Sequence, residues 1–336
     1  MTAKLPVFAD ILEARRRIAP FAVRTPLLEH PALNQRVEGR VLLKLETLQR
    51  VGAFKFRGAF NRISQVDRAR FPGGVVACSS GNHAQGVAEA ARLAGLRAAV
   101  VMPADAPAIK IARTKAFGAE VVAYDRVKED REAIARALCA ERRADFIHPY
   151  DDPEIIAGQG TAGLELAEQA KAIGAKPDAV LVPASGGGLT SGVTLAIEHE
   201  FPGTALYSVE PAGFDDLARS LVSGKRECNT SMSGSICDAL LMQTPGEITF
   251  ELLKSRLAGG LAVSDDEARA AVRFAYEELK LVVEPGGAVA LAAVLAGRIE
   301  TKGRTTAVVL SGGNADPDVF AEIITGRAGS TGKAGA

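Results

Sequence analysis

Ala179-Val180-Leu181-Val182-Pro183-Ala184-Ser185-Gly186-Gly187-Gly188-Leu189 is a short apolar run that breaks into a serine and three glycines, then resumes with helical composition near Thr190. The run is apolar on both faces, as a strand must be when helices cover both sides of a parallel sheet. Three adjacent glycines let backbone N–H groups converge on an anion without side-chain interference, and the dipole of the following helix adds positive potential. The order is not GxGxxG and no Walker lysine follows, so the dinucleotide and P-loop patterns are both absent. The residues predict a phosphate cup, with a plain strand-to-helix turn as the alternative.

The same alternation extends along nearly the whole chain. Candidate strands at 41–45, 74–78, 98–102, 120–124, 179–183, 205–209, 281–283 and 306–310 are separated by Ala/Leu/Glu/Arg-rich segments such as 84–94 and 130–142, the first of which stops at Gly95. Such repetition predicts α/β architecture, with two open, twisted, mostly parallel sheets flanked by helices. A length of 336 residues suits two domains. No internal repeat or charge block is present, and the low-complexity tail 326–336 is expected to be flexible.

Composition narrows the function. Hydrophobic residues make up 47% of the chain, and forty basic against forty acidic residues give a formal net charge of +0. No global field would draw nucleic acid or an anionic membrane, so small-molecule partners are expected. The four cysteines, Cys78, Cys139, Cys228 and Cys237, lack CxxC spacing, which speaks against a disulfide framework and a zinc cluster. Residues 1–17 carry charges throughout with no apolar h-region, and no run reaches about 18 apolar residues. A soluble, cytoplasmic protein is expected.

Gly52-Ala53-Phe54-Lys55-Phe56-Arg57-Gly58-Ala59 sets one lysine between two phenylalanines. An amine held against apolar groups loses hydration, and its pKa falls towards the range of a nucleophile or base. Alternatively, the stem packs on the rings and the ammonium stays in water. Two further turns follow predicted strands, at the strand ends where open α/β sheets bind ligands. Ser79-Ser80-Gly81-Asn82-His83 offers hydroxyls, an amide and helix-terminal N–H groups suited to a carboxylate, although serine and asparagine also cap ordinary helices. Ser311-Gly312-Gly313-Asn314 taken alone is a loop.

Read together, Ala53-Phe54-Lys55-Phe56-Arg57-Gly58-Ala59, Ser79-Ser80-Gly81-Asn82-His83, Ala157-Gly158-Gln159-Gly160-Thr161, Ser185-Gly186-Gly187-Gly188-Leu189, Glu284-Pro285-Gly286-Gly287-Ala288 and Ser311-Gly312-Gly313-Asn314 occur in the order seen in fold-type II pyridoxal-phosphate enzymes. From about Thr25 to Asn314 the chain resembles the branch of threonine/serine dehydratases and serine racemases, whose fold is similar to that of tryptophan synthase β. The resemblance implies a discontinuous large cofactor-binding domain, 1–73 and 151–325, with a small domain at 74–150 that closes on the substrate. A homodimer is the family expectation.

The resemblance also implies roles. Lys55 would hold pyridoxal phosphate as a Schiff base and then act as the α-proton base. Asn82 would bond the cofactor's phenolic oxygen, Ser185, Gly186, Gly187, Gly188 and Leu189 would bind its phosphate, Phe54 would pack on its ring, and Ser311 would meet its pyridine nitrogen. A serine cannot keep that nitrogen protonated as a carboxylate could, which favours elimination over transamination. Ser79, Ser80, Gly81, Asn82 and His83 would grip the substrate carboxylate, with His83 orienting the loop. In racemases the residue matching Ser80 is the acid/base on the face opposite the lysine.

Glu210-Pro211-Ala212-Gly213-Phe214-Asp215-Asp216 is read as a loop leaving a strand, with two carboxylates six apart and a carbonyl between as hard oxygen ligands for Mg²⁺ or Ca²⁺; a solvated acidic turn is the alternative. The resemblance implies a structural cation on Glu210, the Phe214 carbonyl and Asp216. Two residues depart from the pattern, Ser185 and Tyr150, while Arg131 lies where a racemase-like arginine sits near the substrate pocket. Ser185 stands where many relatives have a fourth glycine. Tyr150 stands where racemases commonly carry asparagine, which weakens the racemase reading. Arg131 either serves a second carboxylate, as in 3-hydroxyaspartate, or is an exposed helix arginine. The little chain after Asn314 leaves no regulatory domain to expect. The expected activity is a pyridoxal-phosphate ammonia-lyase for L-threonine or L-serine, with serine or aspartate racemisation and 3-hydroxyaspartate elimination as alternatives. β-Replacement and non-catalytic cofactor binding fit the motifs less well.

Overall fold

The computed structural model describes residues 4–326. The expected flexible tail, apart from Gly326, lies outside the described residues. Ten strands form: β1 Leu27–Glu29, β2 Arg40–Leu45, β3 Val75–Cys78, β4 Ala98–Pro103, β5 Glu120–Tyr124, β6 Asp145–Phe146, β7 Ala179–Pro183, β8 Ala205–Pro211, β9 Gly259–Val263 and β10 Thr305–Leu310. They make two sheets. One has the order β1-β2-β10-β7-β8-β9, and the other β5-β4-β3-β6. Every pairing is parallel except β1 with β2. The strands of the four-stranded sheet come from residues 75–146 and so are inserted between β2 and β7.

The apolar character of β7 follows from its central place: all five residues are buried. Alternate side chains enter different layers. Val180 and Val182 join a cluster with Leu166 of helix Pro153–Ala172 and Val193 of helix Gly188–Glu200. Leu181 joins another, with Val272 of helix Asp265–Glu277 and Val289 of helix Pro285–Leu295. Edge strands β5 and β9 are only partly buried. Among the described residues no helix is long and apolar enough to cross a membrane.

One expected strand fails. Residues 281–283 do not enter a sheet: Lys280 turns left-handed at φ 58°, and the Leu281 N–H closes the preceding helix by donating to the Ala275 carbonyl at 2.9 Å. The edge strand β9, whose Gly259-Gly260 start carries little β propensity, is not among the expected strands. The short strands β1 and β6, three and two residues long, also lack a readable period. Helix 84–94 starts earlier, at Asn82, and ends on Gly95 in the left-handed conformation (φ 64°) as expected for a helix stop.

Candidate active site

The turns Ser79–His83, Ser185–Leu189 and Ser311–Asn314 leave β3, β7 and β10 at their carboxyl ends. Lys55 opens helix Lys55–Ile63, which packs on both helix Asn82–Ala94 and helix Pro153–Ala172. The close approach is specific: a Cβ on Gly86 would lie 3.3 Å from the Lys55 carbonyl group. On its other side the lysine segment is stitched to the β10 turn. Phe54 N–H donates to the Ser311 carbonyl at 3.1 Å, and Gly313 N–H donates to the Gly52 carbonyl at 2.9 Å. Lys55, the serine turn and Ser311 thus share one cleft.

Lys55 Nζ donates to the Pro149 carbonyl at 2.7 Å and lies 5.1 Å from the centroid of the Phe54 ring. Among the described residues no carboxylate pairs with it. Burial pushes its pKa down from 10.5 to about 8, so about a tenth of it is free amine at pH 7, far more than for an exposed lysine. His83 is buried, and its Nε2–H donates to the Ile147 carbonyl at 3.1 Å. Burial, and then the charge of Lys55, lower its pKa to about 3, so it stays neutral. That geometry fits an orienting group on β6's side of the cleft.

The phosphate-cup residues fit an anion. Gly187 lies at φ 92°, which excludes ordinary side chains, and a Cβ at Gly186 would sit 2.4 Å from the Tyr150 ring. Among the described residues, the N–H groups of Gly186, Gly187, Gly188 and Leu189 have no partner, at the start of the thirteen-residue helix Gly188–Glu200. Leu189 buries its side chain in the core, so only its backbone is available. Ser185 Oγ accepts from Met242 N–H at 3.4 Å. The hydroxyls of Ser80 and Ser311 have no partner among the described residues, while Ser79 Oγ accepts from Gly81 N–H at 3.2 Å.

Sequence reasoning assigned no role to Glu284, Asn314 or Arg57. Asn82 Nδ2 donates to Glu284 at 2.6 Å, and Asn314 Nδ2 donates to Asn82 Oδ1 at 2.8 Å. A lone carboxylate directly ahead of the apolar helix Pro285–Leu295 was the available signal, because glutamate is a poor helix cap. Arg57 is fully buried between Glu46 and Glu165, two residues beyond Lys55.

The acidic pair sits elsewhere than on one loop. Glu210 belongs to β8 and Asp216 opens helix Asp216–Ser223. Glu210 accepts the Leu217 and Ala218 N–H groups at 3.1 and 2.8 Å. Asp216 Oδ1 accepts from Asn229 at 2.6 Å, while its Oδ2 is buried without a partner. Burial and the Asp216 charge push Glu210 well above the ordinary carboxyl range, and burial lifts Asp216 to about 6. The orphaned oxygen beside a second acid fits a cation. Among the described residues no cluster of three or more His, Cys, Asp or Glu side chains could hold one, so a backbone carbonyl such as that of Phe214 would have to complete the ligands.

A lysine with a depressed pKa, a cup of backbone donors and a serine hydroxyl without a partner among the described residues fit pyridoxal phosphate. A family model described as pyridoxal-phosphate dependent enzyme matches residues 18–312, and the chain belongs to that family. Within it the chain falls in the ammonia-lyase and racemase branch. The L-threo-3-hydroxyaspartate ammonia-lyase of Saccharomyces cerevisiae is 41% identical over 323 residues, covering 96% of this chain and 98% of the relative. The serine racemase of Schizosaccharomyces pombe is 38% identical over 321 residues, with 96% and 98% covered. The solved structure of maize serine racemase superposes with a TM-score of 0.89 at 35% identity, over 96% of this chain and 98% of that one.

Proposed function

We propose that the protein is an ammonia-lyase that eliminates the β-hydroxyl of a β-hydroxy-α-amino acid as water, the released enamine then hydrolysing to a 2-oxo acid and ammonia. The observation that carries this reading is the desolvated amine of Lys55, held by the Pro149 carbonyl with no carboxylate paired to it among the described residues, on a helix packed against the one that follows the serine turn. Bound pyridoxal phosphate supplies the electron sink that acidifies the substrate's α-carbon. Lys55 anchors it and takes the α-proton at Nζ, with the Pro149 carbonyl holding the amine in place. The backbone of Gly186, Gly187, Gly188 and Leu189 would hold the phosphate, Asn82 the phenolic oxygen, Phe54 the ring face and Ser311 the ring nitrogen. Ser79, Ser80 and Gly81 receive the substrate carboxylate. Residues 74–150 close over it, and Lys110–Asp238 (2.6 Å) and Arg113–Asn314 (3.3 Å) join helix Ala108–Ala116 to the other sheet's turns.

The test is incubation with L-threonine, L-serine, D-serine and both 3-hydroxyaspartate diastereomers, followed for 2-oxo acid and for inversion. L-Threonine and L-serine are the first substrates expected. Failure of all five to give oxo acid removes the lyase reading, and inversion alone replaces it by racemisation.

A second reading is 3-hydroxyaspartate as preferred substrate, and Arg131 favours it. Arg131 starts helix Arg131–Arg142, is only partly exposed, and has no ion-pair partner among the described residues. Its charge acts on both Cys78, at the foot of the serine turn, and Tyr150, over the glycine cup. A free cation there suits a second carboxylate. Arg131→Leu is expected to lower kcat/KM for 3-hydroxyaspartate by about 10- to 100-fold, the size of one lost charge-assisted hydrogen bond. L-Serine turnover should be unchanged. Equal losses for both substrates would exclude this role.

The reading also includes a divalent cation, Mg²⁺ or Ca²⁺, on Glu210, the Phe214 carbonyl and Asp216, supported by the unpartnered Asp216 oxygen. Cation at about 100 times its dissociation constant should stabilise the fold by about 2.7 kcal/mol. The measurement is the Tm with chelator, Mg²⁺ or Ca²⁺, in wild type and in Asp216→Asn. A wild-type Tm insensitive to both ions would remove the site.

A further inference from the structure

We propose that Glu284 is a positioning residue, a buried carboxyl that fixes the Asn82 amide and sets the charge beside the cofactor's phenolic oxygen; the inference rests on the cofactor reading above. Glu284 is 5% exposed and pairs with no cation among the described residues. Its Oε1 accepts from Asn82 Nδ2 at 2.6 Å. Asn82 Oδ1 accepts from Asn314 Nδ2 at 2.8 Å, and Asn314 Nδ2 also donates to the Val51 carbonyl at 2.7 Å. Turning the Asn82 amide over would set NH₂ against NH₂ and carbonyl against carboxyl. One Asn82 N–H then remains, and its direction is fixed by the frame. A Cβ on Gly312 would lie 2.1 Å from Glu284 Oε1, so the β10 turn is shaped around this carboxyl.

A carboxyl buried without a cation retains its proton to unusually high pH. Burial first, then the charge of Asp238, raise Glu284 to about 7, against the opposing Asn82 bond and Lys110. Titratable groups act on it from the neighbouring elements: Cys237 and Asp238 ahead of its helix, and Lys110 on helix Ala108–Ala116. His83 is engaged with the Ile147 carbonyl instead. Above neutrality Glu284 becomes an anion next to an oxygen that is itself anionic when the cofactor binds, so it weakens binding on the alkaline side.

The experiment measures the dissociation constant of pyridoxal phosphate by equilibrium dialysis between pH 6 and 8.5, for wild type and Glu284→Gln freed of cofactor. Changes in the cofactor's own charge and in Lys55 affect both proteins and cancel in the ratio. The ratio of wild type to Glu284→Gln should rise by about tenfold from the acid to the alkaline end, the effect of one charge a few ångströms away. A merely structural role would weaken binding by the same factor at every pH. Compared directly with wild type, Lys110→Ala should move the alkaline weakening of binding to higher pH and Asp238→Asn to lower pH, a comparison that needs no Glu284→Gln protein and keeps the test open if that variant fails to fold. A flat ratio, or no displacement in either partner variant, overturns the role of Glu284 while leaving the cofactor site standing. Absence of binding to every form overturns both.

Discussion

Lys55→Ala is expected to lower turnover of every accepted β-hydroxy amino acid by about four orders of magnitude or more, because it removes the proton acceptor and the covalent anchor together. The visible absorbance of the cofactor-bound protein should disappear with it. Stability should move the other way in the cofactor-free protein. Folded, the amine titrates at about 8 rather than 10.5. A depressed pKa means that the stabilisation this group contributes is fully present above the unfolded value and is lost as pH falls through the folded one. Below about pH 8 the native state therefore carries the full penalty for holding that proton in a desolvated site. The alanine variant escapes it, so at pH 7 its Tm should equal or exceed wild type, and the wild-type gain in Tm between pH 8 and 10 should be absent. Residual turnover within tenfold of wild type, or an unchanged absorbance band, would remove Lys55 from the chemistry.

Much of this arrangement was legible because it rests on short-range pattern. β7 reads as a central strand since both of its faces meet helices, and the glycines after it can be read as a turn from composition alone. The meeting of Lys55 with the serine turn is different in kind. It depends on Gly86 letting two helices approach, and one sequence does not tell such a glycine from any other. The Asn82–Glu284 and Asn82–Asn314 bonds join residues 202 and 232 positions apart, where no periodicity reaches. Residues 281–283 misled for the converse reason. Their apolar, β-branched character serves a half-buried helix exit, with Val283 in the core, Val282 exposed and the Leu281 N–H already committed. Local propensity yielded there to the closing of a helix.

The ionic cluster beneath Lys55 is where a single substitution should unfold the protein most readily. Arg57 Nε and Nη2 donate to the two Glu46 oxygens at 2.7 and 2.9 Å, and Nη1 and Nη2 donate to the two Glu165 oxygens at 2.8 Å each. Lys44 Nζ adds bonds to Glu165 at 2.7 Å and to the Thr25 carbonyl at 2.7 Å, and Thr25 Oγ1 donates to Glu46 at 2.6 Å. Two cations and two carboxylates balance, and every contact spans separate elements: β2, the turn after it, helix Lys55–Ile63 and helix Pro153–Ala172. Burial alone would raise Glu165, but its bonds from Arg57 and the charges of Arg57 and Lys44 hold it below the ordinary range. Glu46→Ala leaves half of the Arg57 fork unpaired in the interior and should destabilise by about 3–5 kcal/mol. Replacing Glu46 and Arg57 together by Leu and Met leaves Glu165 paired with Lys44, so the double variant should lose less than Glu46→Ala alone. Since Arg57 shares the first turn of its helix with Lys55, Glu46→Ala should also impair turnover in whatever fraction remains folded. Denaturant unfolding of the three proteins decides the matter: a loss under about 1 kcal/mol for Glu46→Ala, or a double variant worse than the single one, would mean that water or backbone movement replaces the missing carboxylate.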